Sequence, residues 1–135
     1  MDGLDTAITA MRYWTSGAGT GDWSNLIRML DPELAFQVPV DGFLGRRHGL
    51  AEASRFFDHL AAVLRAELTV TSTLLSADGA GDRVAFEVSV RGEWLERRFV
   101  QALCLVFVVG GDRVRAFFEY LAWPGGLDLS DPSPS

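Results

Sequence analysis

Two tyrosines and one glutamine are the residues of this sequence whose types suit catalysis by hydrogen bonding in an apolar setting. Tyr13 lies in a predicted helix, and Gln101 and Tyr120 lie in predicted strands among Phe, Leu and Val. A phenol or an amide can donate a hydrogen bond to a substrate carbonyl or a developing enolate without carrying a charge. The alternative is structural at each position, since a buried polar group also needs a partner within the protein.

Asp41 and His48 form a second candidate group, an acid/base pair within one loop. Imidazole titrates near neutral pH, so a neighbouring carboxylate and histidine together suit proton transfer. The alternative is that both side chains are merely solvated on a surface loop. His59 shares a helical face with Glu52 and Arg55, and we expect it to face solvent.

Cysteine and charge content disfavour other chemistries. The single cysteine, Cys104, cannot form an internal disulfide, and no Cys/His cluster has metal-ligand spacing, so we expect no metal and no cofactor. The net charge of −6 and the lack of a basic stripe argue against a nucleic-acid partner. No apolar run is long enough for a membrane span and no secretion signal is recognisable, so we expect a cytoplasmic protein.

The elements that must position these residues follow from hydrophobic periodicity. Helical spacing of apolar residues predicts helices over residues 5 to 16, 22 to 31 and 50 to 65, with a break in the glycine-rich stretch 16 to 21. Residues 33 to 39 alternate with the period of a half-buried strand.

The second half of the chain is predicted to be strand. Segments 67 to 76, 82 to 91, 94 to 109 and 112 to 123 are rich in β-branched and aromatic residues and are joined by short turns. Helices at the front and strands at the back predict an α+β fold, in which a curved, mostly antiparallel sheet wraps around three N-terminal helices. We expect a single domain over residues 1 to 126 and a tail over residues 127 to 135.

Short motifs occur in a characteristic order between residues 5 and 124. They are Arg12-Tyr13, Gly21-Asp22-Trp23, Phe36-x-Val38-Pro39, Gly45 and Gly49 before the long helix, Gly81-Asp82-Arg83-Val84, and Gly111-Asp112-Arg113-Val114 ahead of Glu119-Tyr120. This ordered set resembles the nuclear transport factor 2-like superfamily, and particularly its SnoaL-like polyketide cyclase branch. The resemblance implies a cone whose concave sheet face and covering helices enclose a small-molecule cavity.

Alternation within each strand predicts which side chains line that cavity. It points Gln101 and Tyr120 inward, whereas a one-residue slip, which we disfavour, would bring charged groups such as Glu87 and Glu119 inward instead. The substrate-binding residues predicted in this way, together with helix and loop residues, are Trp14, Phe36, Val38, Phe43, Phe86, Val88, Val90, Leu103, Phe118 and Ala122.

The carboxylates that the resemblance implies are missing. Ketosteroid isomerases of this superfamily would have a general base near Val38, a proton donor near Leu103 and a tyrosine on the first helix, and only Tyr13 matches their pattern. Limonene-type epoxide hydrolases would have polar or charged groups at several positions that are apolar in this sequence. Polyketide aldol cyclases would have an acid where this chain has Ala122.

An apolar cavity of this kind predicts a cyclase or isomerase that acts on a polyketide- or terpenoid-like intermediate, mainly by positioning plus hydrogen bonding. Two alternatives stay open: a non-catalytic binding or sensing protein, and an acid/base enzyme that uses Asp41 and His48. We also expect a homodimer through the outer sheet face, where apolar residues are continuous. These residues are Val100, Ala102, Cys104, Val106, Phe117, Leu121 and Trp123.

Overall fold

The computed structural model describes residues 2 to 75 and 82 to 121, and it contains three helices and six strands within those ranges. The predicted helices, the predicted strand before the third helix and the four later strands are all present, and a two-residue strand is added. In chain order the elements are α1 (Gly3–Thr20), α2 (Ser24–Met29), β1 (Leu30–Gln37), β2 (Arg47–His48), α3 (Leu50–Val63), β3 (Leu64–Leu75), β4 (Asp82–Trp94), β5 (Arg97–Gly110) and β6 (Arg113–Leu121).

The six strands form one sheet in the order β2-β1-β6-β5-β4-β3. Strands β3 to β6 make a consecutive antiparallel meander, and β1 joins β6 in parallel. The intervening helix and strands supply the long crossover that a parallel pair requires. The predicted α+β class with a curved, mostly antiparallel sheet is therefore confirmed. In the two described ranges, no helix has the length and apolar character needed to cross a membrane.

Helix α1 is longer than its sequence predicts. The Asp2 side chain caps its start by accepting a hydrogen bond from the Asp5 amide at 2.8 Å, and the helix ends at Gly21, whose φ of 85° is left-handed. The predicted break at residues 16 to 21 is wrong because the helix continues through Gly17. A Cβ atom at Gly17 would collide with the Trp23 ring, so this glycine allows α1 and Trp23 to pack closely.

An aromatic cluster joins the helices to the sheet. The Trp14 ring of α1 meets Trp23, Phe57 and Phe117 edge to face, with centroids 5.3 to 5.5 Å apart. Phe36 of β1 stacks on Phe117 at 4.9 Å. These rings fill the part of the concave face that α1 covers, and the remaining part of that face lines a cavity.

A β-bulge at Arg115 changes the direction of the side chains in β6. Val114 pairs with Val109 of β5, but Val108 pairs with Ala116, so Arg115 is an extra residue on β6. Beyond the bulge, Phe117 pairs with Phe107 and Glu119 with Leu105, which places these side chains on the concave face. The predicted inward direction of Phe118 and Tyr120 is therefore wrong, and Glu119 and Leu121 take the inward positions.

Candidate active site

The concave face and the helices enclose a partly open cavity of about 610 Å³. Most of its wall is aliphatic or aromatic, and four of its residues carry a carboxyl, imidazole or carboxamide group. The lining residues are Trp14, Pro39, Val40, Asp41, His59, Leu60, Leu64, Leu68, Val90, Trp94, Leu95, Phe99, Gln101, Leu103, Glu119 and Leu121.

Side-chain exposure distinguishes the floor of the cavity from its rim. Trp14 and Leu60 are each 3% exposed and form the floor, whereas Leu95 and Leu121 are 62% and 48% exposed and form the rim. Leu95 is held in place by the turn between β4 and β5, where Leu95 and Glu96 have φ values of 55° and 68°. The Leu95 amide also donates a hydrogen bond to the Val63 carbonyl at 2.8 Å, which ties the rim to the end of α3.

Glu119 is the ionisable group that the sheet contributes to this cavity. It lies on β6 between Phe117 in the core and Leu121 at the rim, beside Leu105 of β5. Burial among apolar side chains raises the pKa of the Glu119 carboxyl to about 7. The residue remains partly accessible because its side chain borders the cavity. At neutral pH the carboxyl is therefore present in both its acid and its base form.

Gln101 lies further along the same concave wall as Glu119. It pairs with Val90 of β4, and its Nε2 donates a hydrogen bond to the Ala102 carbonyl at 3.3 Å. Leu105, the neighbour of Glu119, lies four positions after Gln101 on β5, which corresponds to about 13 Å along the strand. The carboxyl and the carboxamide can therefore meet different parts of one ligand rather than the same atom.

His59 borders the cavity from helix α3, so the prediction that it faces solvent is wrong. Its ring lies 5.6 Å from that of Phe43 and 6.0 Å from that of Trp94, centroid to centroid. The side chain is half-buried between the loop after β1 and the end of β4. It thus adds a second titratable group to the cavity wall, across from the sheet.

Asp41 reaches the rim of the cavity on the loop between β1 and β2. That loop is fastened to α3, because Arg47 donates a hydrogen bond to Glu52 at 2.7 Å and lies over the buried Phe43 ring at 5.8 Å. Hydrogen bonds from Arg55 and Arg47 lower the pKa of Glu52 below its usual value. Asp41 itself is exposed, as expected for a residue at the entrance.

Five of the residues predicted from the sequence do line the cavity. They are Trp14, Asp41, Val90, Gln101 and Leu103. Seven others are packed in the core or behind it, outside the lining: Tyr13, Phe36, Val38, Phe43, Phe86, Val88 and Phe118. Ala122 lies outside the described residues.

The remaining two predicted catalytic residues are displaced from the cavity. His48 is exposed on β2 opposite Ala35, and no hydrogen bond joins it to Asp41 within residues 2 to 75, so the predicted pair is not assembled. Tyr120 is 48% exposed and lies opposite Cys104 on the outer face of the sheet, because the bulge at Arg115 turned it outward.

The three helices and the curved six-stranded sheet have the NTF2-like fold, so the fold implied by the resemblance is confirmed. An NTF2-like protein from Anabaena variabilis superposes with a TM-score of 0.81 at 23% identity, covering 89% of each chain. A candidate isomerase from Bacillus subtilis gives 0.80 at 16%, covering 97% of this chain and 98% of its own.

A candidate polyketide cyclase from Pseudomonas putida has a TM-score of 0.69 at 16% identity, covering 88% of this chain and 93% of its own. No protein-family model matches the sequence. None of the curated proteins is recognisably similar to it in sequence. These likenesses establish the fold, and a fold does not by itself determine the chemistry of its cavity.

Proposed function

We propose that this protein is a cyclase or isomerase of the SnoaL-like type, acting on an apolar polyketide- or terpenoid-like intermediate with Glu119 as its acid/base. One observation carries the proposal: a carboxyl group on an apolar cavity wall whose pKa is raised to about 7. A general acid/base is most effective when its pKa lies near the working pH. The proposal replaces a purely positioning mechanism with one that includes proton transfer.

The chemistry that suits this wall is the movement of a proton on a carbon skeleton. Ionised Glu119 would accept a proton from a carbon next to a substrate carbonyl, and the resulting acid would return that proton to another atom of the enolate or of the cyclised product. Gln101 can donate an amide hydrogen bond to a substrate oxygen further along the wall. No net redox change is needed, and the carboxylate is regenerated in each cycle.

Apolar lining supports the same proposal in two ways. Trp14 and Leu60 at the floor and Leu103 on the wall offer contact area to a hydrophobic substrate rather than hydrogen bonds. Holding a flexible chain in a folded shape lowers the entropic part of the barrier to cyclisation. The candidate isomerase and the candidate polyketide cyclase share this fold, which is consistent with such chemistry but does not identify the substrate.

The proposal is tested by proton exchange on an apolar ketone. Wild-type protein should catalyse exchange of the α-protons of β-tetralone in deuterium oxide, followed by proton NMR, and Glu119→Gln should lower the catalysed rate about 10²- to 10⁴-fold. The wild-type rate should increase with pH through the pKa of Glu119, near 7.

Asp41→Asn is the matched control, because it removes a carboxylate that lies at the rim of the cavity rather than on its wall. Its exchange rate should stay within about threefold of wild type. A large loss in Asp41→Asn with little loss in Glu119→Gln would overturn the assignment of the acid/base. Tight ketone binding by wild type without any exchange would favour the non-catalytic binding protein instead.

A homodimer through the outer sheet face is part of the proposal. On that face Val100 and Tyr120 are 49% and 48% exposed, and Cys104 and Ala102 lie between them on β5. The bulge places Phe118 and Tyr120 there in place of Phe117 and Leu121. Burying such a surface against a second copy would remove apolar area from water.

Charge introduced into this face should therefore separate the subunits. Tyr120→Glu is expected to shift the protein from dimer to monomer in sedimentation equilibrium, because an ionised carboxylate is costly to bury without a partner. Asp58→Asn, on the exposed side of helix α3 and away from the sheet, should leave the dimer intact. A monomeric wild type, or a Tyr120→Glu dimer of unchanged affinity, would contradict the expectation.

A further inference from the structure

We propose that the cavity selects an apolar ligand that carries one protonated amine, and that it rejects carboxylates of the same shape. The inference deepens the proposed function and rests on it in one respect, since it takes Glu119 as the group that the substrate meets. It concerns the charge of the substrate, which neither the fold nor the class of reaction determines.

The balance of charge in the cavity is the first observation. Two carboxyl groups, Glu119 on the wall and Asp41 at the rim, face the space, and no Arg or Lys belongs to the lining contributed by residues 2 to 75 and 82 to 121. The nearby arginines are directed elsewhere, with Arg47 of β2 held by Glu52 and Arg55 of α3 lying over the Phe43 ring. An anionic ligand would therefore find no cation to pair with, whereas a cationic ligand would find a carboxylate.

Burial of Glu119 without a cationic partner is the second observation. Desolvation is the whole cause of its raised pKa, so neither a charge nor a hydrogen bond from the described residues stabilises the ionised form. A buried carboxylate in this state gains more from a ligand cation than a carboxylate that is already paired. An ammonium group bound beside it would also lower its pKa and leave it as the base that proton transfer requires.

Aromatic side chains around the cavity are the third observation. Trp14 lies at the floor, Trp94 and Phe99 lie on the wall towards the rim, and His59 packs against Trp94. The faces of tryptophan and phenylalanine rings attract cations and also provide apolar contact area. A volume of about 610 Å³ exceeds the need of a small ammonium ion, so the ligand combines its charge with a substantial apolar body.

Three probes of similar size and shape test the inference: naphthylmethylamine, naphthylmethanol and naphthoic acid, measured by isothermal titration calorimetry near pH 8. Wild-type protein should bind the amine at least tenfold more tightly than the alcohol, and the acid more weakly than either. In Glu119→Gln the amine should lose its advantage, while the alcohol should bind as it does to wild type. The alcohol thus reports whether the cavity of the variant is intact.

Lowering the pH from about 8 to about 6 should reduce the advantage of the amine about tenfold, because the ionised fraction of a group with a pKa of about 7 falls by that factor. His59 and Asp41 also line the cavity, so a variant of each serves as a control. His59→Gln should keep this pH dependence, and Asp41→Asn should reduce the preference for the amine near pH 8 much less than Glu119→Gln does.

Several results would overturn the inference: equal binding of the three probes, tightest binding of the acid, or a preference that survives in Glu119→Gln or disappears in Asp41→Asn. Binding is measured without turnover, so its outcome is separate from that of ketone exchange. Exchange that depends on Glu119, combined with no preference for the amine, removes the inference and leaves the proposed function in place. A preference for the amine without exchange removes the proposed proton transfer and leaves the inference about the ligand's charge in place.

Discussion

Replacing Trp14 with alanine is expected to lower the free energy of unfolding by about 3 to 5 kcal/mol, the range observed when large buried aromatic side chains are truncated. Trp14 is 3% exposed and meets four aromatic rings edge to face, so its removal leaves a void that rigid neighbours cannot fill. Urea unfolding followed by circular dichroism measures the change.

Trp94→Ala is the matched control for that variant. Trp94 also lines the cavity, but it is only half-buried and lies near the rim, so its truncation should cost about 1 kcal/mol. A loss in Trp14→Ala no greater than in Trp94→Ala would show that the aromatic cluster does not hold α1 against the sheet. Ligand binding should weaken in both variants, since both rings border the cavity.

Glu119→Gln is expected to make the folded protein more stable at alkaline pH while it removes the acid/base. The pKa of Glu119 is about 7 in the folded protein, against an ordinary value of 4.5, so the folded state binds more protons than the unfolded state between those values. The contribution of Glu119 to the stability of the wild-type protein is therefore greatest below about pH 4.5, and it falls as the pH rises towards 7. Above pH 7 the free energy of unfolding is lowered by roughly 3 kcal/mol at most. The reduction is smaller if water in the cavity solvates the carboxylate.

Urea unfolding at several pH values between about 5 and 8 measures that difference. The gap between wild type and Glu119→Gln should widen in favour of the variant as the pH rises. Glu87→Gln, an exposed glutamate on the outer side of β4, should follow the wild-type profile. If Glu119→Gln keeps the wild-type dependence on pH, ionisation of Glu119 does not destabilise the fold.

Most of the fold could be predicted because its helices and strands have clear hydrophobic periods. Val84, Phe86, Val88 and Val90 alternate without interruption, and the structure buries all four as expected. The end of α1 could not be predicted, because glycine lowers helix propensity and its packing against Trp23 is a tertiary contact. Strand β2, only two residues long, has too short a sequence pattern to be recognised.

Hydrophobic periodicity could not predict the side-chain directions in β6. Strict alternation carried from Val114 to Tyr120 assumes that no residue is inserted, and a bulge is set by pairing with the neighbouring strand rather than by local propensity. The sequence does contain one signal, the adjacent pair Phe117-Phe118, because alternation cannot send two large apolar side chains to one face. Because either phenylalanine could be the inward one, the sequence allows Glu119 to face either the cavity or the outer side of the sheet.

His59 was misplaced for a different reason. Its position on the helix lies at the border between the buried face of Phe56 and Leu60 and the polar face of Glu52 and Arg55. A border residue faces solvent where the helix is covered by sheet, but it faces a cavity where the sheet curves away. Only the curvature of the sheet decides between the two, and helical periodicity carries no information about it.

Arg115 has a consequence for comparing this chain with its structural neighbours. It occupies one extra place in the last strand, so a residue-by-residue count from the turn before β6 assigns every later position to the wrong face. Counted along an uninterrupted strand, Glu119 would fall on the outward face and Tyr120 on the inward face. Functional positions in this strand therefore have to be compared from superposed backbones rather than by counting residues from the turn.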